Sequence, residues 1–306
     1  MTSRRRVVRW MTLVAAAACT EPTAPQLPDR FVDDRPDDFA GPQVHVMYVL
    51  PSDAADLEFD LNGTLATSVA SFSAWFAERS GLAIRFDTHD GALDVTGFRL
   101  DSSDEEMKAL GPSLLFGIES RLDAAGKLAQ DKIYLVYYDG TSTYACGGAS
   151  WPGRIAAMYL RGLPSGANCG LQQFVSSPTQ FPRYWEFAAL HDLHHTFGIV
   201  SPNAPHHTVD YPAHVPEEND LLYSGPGPWI INATTVIDVD GDDYFGANVP
   251  AGVANLSLSP FVAPAQGQTR VAWQHAAPEA DAMLRNAVEH LPVHVPFTRT
   301  PQRDRR

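Results

Sequence analysis

Residues 132–140, KIYLVYYDG, form the most apolar strand-like run in the chain. A strand without a polar face has to be covered on both sides, which requires a central sheet strand with helices packed across it. The surrounding sequence supplies such partners. In QVHVMYVLP (43–51), Val44, Val46, Tyr48 and Leu50 nearly alternate, as in a second strand. NGTLATSVASFSAWFAERSG (62–81) places Leu65, Val69, Phe72, Trp75 and Phe76 on one side of a helix that Gly81 ends. LAIRFD (82–87) and RIAAMYLRG (154–162) are further strands, the latter near a sheet edge. SSDEEMKAL opens as a helix capped by Ser102 or Ser103, and GPSLLFGIESRLDAAG is another helix. A last helix starts near Pro182 and ends at Gly198. This order predicts an α/β (α+β) fold: a mixed twisted sheet with packed helices, followed by an irregular C-terminal subdomain.

The two ends lie outside that core. Arg4, Arg5, Arg6 and Arg9 precede a short apolar run that closes in small residues and Cys19. The pattern predicts a signal peptide over 1–18 and resembles a bacterial lipobox, with Cys19 as the lipidated residue. SRRRVVR also resembles a twin-arginine export signal. The expected destination is the cell envelope or the outside of a bacterial cell. Residues 19–42, rich in Pro and Asp, are expected to be a flexible tether. The main domain is placed at 43–250. An extension follows at 251–292, with a helix over 278–291, and then a disordered tail at 293–306. With 36 acidic against 22 basic residues the chain carries a formal charge of −14, and loss of residues 1–18 makes it more acidic still. Such a chain is a poor partner for a phosphate backbone, so nucleic acid is excluded. Membrane association is expected only through the N-terminal lipid. Of the three cysteines, Cys146 and Cys169 remain as a pair for a disulfide in an oxidising compartment.

The chemistry concentrates in WEFAALHDLHHTFGIV (185–200). Residues four apart share a helix face, so His191 and His195 can aim their rings at one ion. Zinc takes histidine nitrogen at about 2.0–2.1 Å, and catalytic zinc keeps three protein ligands and one open position. His194 faces away from such an ion, and Glu186 lies too far along the helix to replace Asp192 as a base. A Ser-His-Asp hydrolase is set aside, because no G-x-S-x-G occurs.

HDLHHTFG resembles the metzincin zinc metallopeptidases, whose pattern is HExxHxxGxxH followed by a Met-turn; His191, His195 and Gly198 are in register. NDLLYSG (219–225) resembles that turn, and the stretch from HHTFG to DDYFG is similar to exported bacterial proteins of the class. The resemblance implies a zinc-dependent peptidase acting on a peptide or protein, with Asp192 as the general base. Asp stands where the pattern has Glu. Its carboxylate is set back by one methylene, about 1.5 Å, and a 1 Å misplacement can cost about a hundredfold in rate. Ser201 stands where the third histidine belongs, so the third ligand is expected downstream, at His206 or alternatively at His207, His214 or, less suitably, Asp210. Leu222 occupies the Met-turn position, a mild change in a packed floor. Tyr223 packs there or reaches a developing oxyanion.

A further set of acids, Asp238, Asp240 and Asp242, alternates as in a calcium loop. Glycine falls at the wrong place for an EF-hand and no closing glutamate follows, which leaves at most a structural calcium site. The alternative to an enzyme is a weakened or inactive scaffold of the same fold that binds partners in the envelope.

Overall fold

A computed structural model describes residues 29–162, 174–225, 229 and 231–265. The chain runs β1 (Gln43–Leu50), α1 (Thr64–Ser80), β2 (Leu82–Ile84), β3 (Thr88–His89), β4 (Ala92–Leu93) and β5 (Val95–Arg99). It continues through α2 (Asp104–Lys108), α3 (Leu114–Ala124), β6 (Lys132–Thr141), β7 (Gly147–Ala149) and β8 (Ile155–Arg161). The last elements are α4 (Tyr184–Thr196) and β9 (Val262–Pro264). Five strands form the main sheet in the order β5-β1-β6-β8-β7. The first four are mutually parallel, and β7 is antiparallel to β8 at the edge. This is the mixed α/β arrangement expected from the sequence.

All eight residues of β1 and nine of the ten in β6 are buried. The two-residue period of a strand divides them between two cores. Val44, Val46, Tyr48, Leu50, Ile133, Leu135 and Tyr137 join the side chains of α1 and α4 on one face. Met47, Val49, Tyr134, Val136 and Tyr138 pack with α2 and α3 on the other. Helix α4 lies across β8 and β7 and beside α1, so the histidine helix is held against the sheet edge. Ser103 caps α2 in a reciprocal capping box with Glu106, as its sequence predicts.

Three boundaries differ from expectation. Residues 29–42 were placed in the tether, but they are bound to the domain by charge pairs that no hydrophobic period reveals. Arg30 pairs with Asp56 and Asp60, Arg35 with Asp94, and Lys132 with Asp34 and Asp37. At the other end β9 pairs antiparallel with β2, so the domain continues past residue 250 into the expected extension. The edge strands β5 and β7 carry no strand signature in the sequence, and β8 therefore lies one place inside the edge. In β5 the glycine serves a close approach, since a Cβ at Gly97 would come within 2.5 Å of the Arg30 and Asp60 side chains. The expected signal peptide with Cys19, the expected helix over 278–291 and the expected tail at 293–306 fall outside the described residues. Among the described residues no helix is long and apolar enough to cross a membrane.

Lys132 anchors the N-terminal segment to the sheet. It is 5% exposed, and its Nζ donates to Asp34 at 2.6 Å, Asp37 at 2.7 Å and the buried Asp87 at 2.7 Å. Burial alone would raise the Asp87 carboxyl, but hydrogen bonds from His45 and Lys132 outweigh it and hold the group below its ordinary value. A depressed carboxylate adds stability above its unfolded pKa and loses it as the pH falls through the folded one. Lys132→Ala is therefore expected to cost about 3–5 kcal/mol of unfolding free energy at neutral pH. The variant should also lose stability less steeply than the wild type when acidified below about pH 4. Lys127→Ala, which breaks an exposed pair with Asp33, should cost at most about 1 kcal/mol. Urea unfolding across pH measures all three.

Candidate metal centre

In α4 every residue from Trp185 to Thr196 is buried, so its histidines cannot be a solvated face. Its start is fixed by Glu186, which accepts from the Ser68 hydroxyl at 2.7 Å and from the backbone N–H of Arg183 at 3.0 Å. Glu186 is thus a structural cap rather than a second base. One turn apart, His191 and His195 bring their Nε2 atoms to 3.0 Å. The third histidine is His214, whose Nε2 lies 3.1 Å from that of His191.

This corrects the ligand favoured from the sequence. His206 is not in the cluster; its side chain is 42% exposed and hydrogen-bonds Asp243 at 2.9 Å. His207 stacks on Trp151 and accepts the backbone N–H of Ala213, so it braces the segment that carries His214. Asp210 is exposed. The physical reason is a short backbone bridge. Val215 donates its N–H to the Leu222 carbonyl at 3.1 Å and accepts from Ser224 at 2.9 Å, which lays residues 214–215 alongside the NDLLYSG turn. That turn runs beneath the histidines, with Leu221, Leu222 and Tyr223 all buried. Leu222 and Tyr223 pack in its floor. Asp220 holds the turn by accepting from Leu222 N–H, Val239 N–H and the Tyr244 hydroxyl.

The protons of the cluster can be followed. His191 Nδ1 donates to the Leu221 carbonyl at 2.7 Å, and His214 Nδ1 to the Pro212 carbonyl at 3.0 Å. Each bond fixes its ring in the tautomer whose Nε2 carries a lone pair. His195 can place a proton between itself and His191, at the expense of its own buried Nδ1, which has no hydrogen-bond partner. The Nε2 atoms of His191 and His214 face each other at 3.1 Å. Burial, followed by repulsion from His214 and His191, drives the His195 pKa well below its ordinary value, so this ring is neutral. Three imidazoles with converging nitrogens are the donor set of a zinc-type cation. Tetrahedral zinc at 2.0–2.1 Å puts its nitrogens about 3.3–3.4 Å apart, close to the spacing seen. The residues fit the ion. Trp229 closes one side, with its ring edge-on to His191 at 5.0 Å between centroids.

Asp192 is fully buried with neither carboxylate oxygen hydrogen-bonded, and desolvation pushes its pKa well up. It lies against β7, where a Cβ at Gly147 would come within 2.5 Å of its Oδ2. A mostly apolar cleft of about 270 Å³ opens there, lined by Leu115, Phe116, Tyr144, Trp151, Tyr159 and His195, among others. Gly147, Tyr159 and Trp229 were not singled out from the sequence, and only spatial proximity identifies them. His194 is not a surface residue. It is buried between Phe76 and Phe197, and burial lowers its pKa to about 4. Of the alternating acids, Asp238 and Asp242 gather with Asp243 in one acidic group, and Asp240 stays apart. Asp238 accepts backbone N–H groups from Asp243, Tyr244 and Phe245. Cys146 is buried, and Cys169 lies outside the described residues.

No family model matches the chain, and no curated protein matches it. Among solved structures it is similar to an archaemetzincin from Methanopyrus kandleri, at 16% identity and a TM-score of 0.34, over 60% of this chain and 82% of that one. It is also similar to wild-type OgpA from Akkermansia muciniphila, at 14% identity and a TM-score of 0.32, over 60% of this chain and 54% of that one. Catalytically inactive OgpA, in complex with an O-glycopeptide substrate, aligns at 15% identity and a TM-score of 0.31, over 61% of this chain and 55% of that one. Likeness at this level adds nothing to the side-chain geometry.

His214→Ala should remove the zinc held with His191 and His195, whereas His207→Ala, which only loosens the supporting segment, should weaken it about 10- to 100-fold. Competition of each purified variant against a chromogenic chelator reads both outcomes.

Proposed function

We propose that the chain is an exported zinc-dependent metallopeptidase, with His191, His195 and His214 holding the ion and Asp192 acting as general base. The observation that carries this reading is the convergence of three buried imidazoles, with the Nε2 atoms of His195 and His214 3.0 and 3.1 Å from that of His191 and the Nδ1 atoms of His191 and His214 bonded to backbone carbonyls. When bound, zinc supplies Lewis-acid polarisation of a scissile carbonyl and acidifies a water molecule. The protein's own groups do the rest. Asp192 accepts the proton, from a dry site between α4 and the glycines of β7, and its short side chain makes it a weaker base than Glu. β7 is the edge of the five-stranded sheet, where an extended peptide can add as a further strand. The adjacent cleft, walled by Phe116, Tyr144 and Trp151, suits a large apolar side chain of that peptide.

Export through the N-terminal signal, lipidation at Cys19 and a Cys146–Cys169 bridge belong to the same proposal. They are supported by the arginine-rich, small-residue leader and the cysteine count. In bacterial cells, labelling with a palmitate analogue should mark the wild type and not Cys19→Ser; labelling of both variants alike would refute the anchor.

The catalytic proposal is tested on a mixed peptide library with zinc-loaded protein. Asp192→Asn should abolish cleavage, and Asp192→Glu should raise turnover about 10- to 100-fold. If neither wild type nor Asp192→Glu cleaves any peptide while both retain zinc, the chain is a binding scaffold and not a peptidase.

A further inference from the structure

On the far side of the His214 segment a second group of potential ligands gathers. His206 Nδ1 lies 2.9 Å from Asp243, 3.4 Å from Glu217 and 3.8 Å from Asp242. Asp243 is 1% exposed, and its other oxygen accepts the backbone N–H of His206 at 2.7 Å. Glu217 Oε2 and Asp242 Oδ1 are buried without a hydrogen-bond partner. Among the described residues no lysine or arginine pairs with any of these three carboxylates, and His206 is the one base that meets them. Three carboxylates around one imidazole, with two oxygens withdrawn from water and given no donor, is an arrangement that costs free energy unless a cation joins it.

We propose that His206, Glu217 and Asp243, whose ligand atoms all lie within 4.8 Å of one another, form with the neighbouring Asp242 carboxylate beside them a second divalent-cation site of the zinc type, separate from the three-histidine cluster, which clamps the segment carrying His214. The distances from His206 Nδ1 bracket the roughly 3.3 Å that separates ligand atoms around tetrahedral zinc. An imidazole ligand favours zinc over calcium, which takes oxygen donors. The clamp follows from chain order. His206 and Glu217 flank His214 on both sides, and Asp242 and Asp243 come from a turn that Asp238 fixes through three backbone N–H groups. One ion thus ties both ends of the His214 segment to a rigid acidic turn. The site uses no residue of the first cluster and does not require it to be catalytic.

The test uses the full chain with the first cluster removed, His191→Ala with His195→Ala. Zinc at about a hundredfold over its dissociation constant should raise the Tm of this variant by about 5 °C, and equal calcium should not. Adding His206→Ala and Glu217→Gln should abolish the rise. No zinc-dependent shift, a shift that survives those changes, or a shift with calcium in place of zinc each overturns the proposal. Should the quadruple variant not fold, zinc content decides on milder proteins. Wild type should hold two ions and Glu217→Gln one, whereas equal content in the two refutes the site. Failure of the first cluster reads differently, because His191→Ala with His195→Ala would then lose no zinc relative to the wild type.

Discussion

Two backbone hydrogen bonds decide whether this chain has a three-histidine site. Val215 donates to Leu222 and accepts from Ser224, and this pairing lays His214 beside the turn, while the His207 brace and a bond from the Thr208 N–H to the His214 carbonyl steady the segment around it. With the bridge in place His214 is delivered next to the turn, and the same turn offers the Leu221 carbonyl that orients His191. Ligand and orienting acceptor therefore come from one local structure. A cluster built this way needs no regular secondary structure beyond the helix, only a short pairing that a buried aspartate, Asp220, keeps in register.

The sheet contributes position rather than chemistry. α4 shares one face of the sheet with α1 and lies mainly across β8 and β7, and the face carrying His191 is turned toward the downstream turn. His194 shows how tightly the helix is held. A polar ring sits among aromatics of α1 and the end of α4, gives its Nδ1 proton to Leu190 and is kept uncharged by burial. A helix with a looser back face would not hold two imidazoles at a fixed spacing.

The central strands, the four helices and the α4 ligand pair could be read from sequence, β6 from its unbroken apolar run and others from a period, two for β1, 3.6 for α1 and four for His191 and His195. What escaped depends on contacts without a period. The segment 29–42 is held by Arg30, Arg35 and Lys132, whose acidic partners lie 26 to 98 positions away along the chain. β7 is Gly-Gly-Ala, with no strand preference, and it exists because β8 offers it an edge. The choice among His206, His207 and His214 depended on the Val215 bridge, which links positions eight apart through backbone atoms alone. Residue identity says little about such a pairing.

The bareness of Gly147 has a consequence for how this site could change. The gap between the edge strand and α4 is narrower than one methyl group on the side of Asp192 Oδ2. The length of the acid and the absence of a side chain opposite it are therefore two halves of one dimension. Any lineage that lengthens the acid must find room for the added carbon away from the strand, and any that fills position 147 must first retract the carboxylate. A longer acid at 192 is thus compatible with glycine at 147 and with no larger residue there.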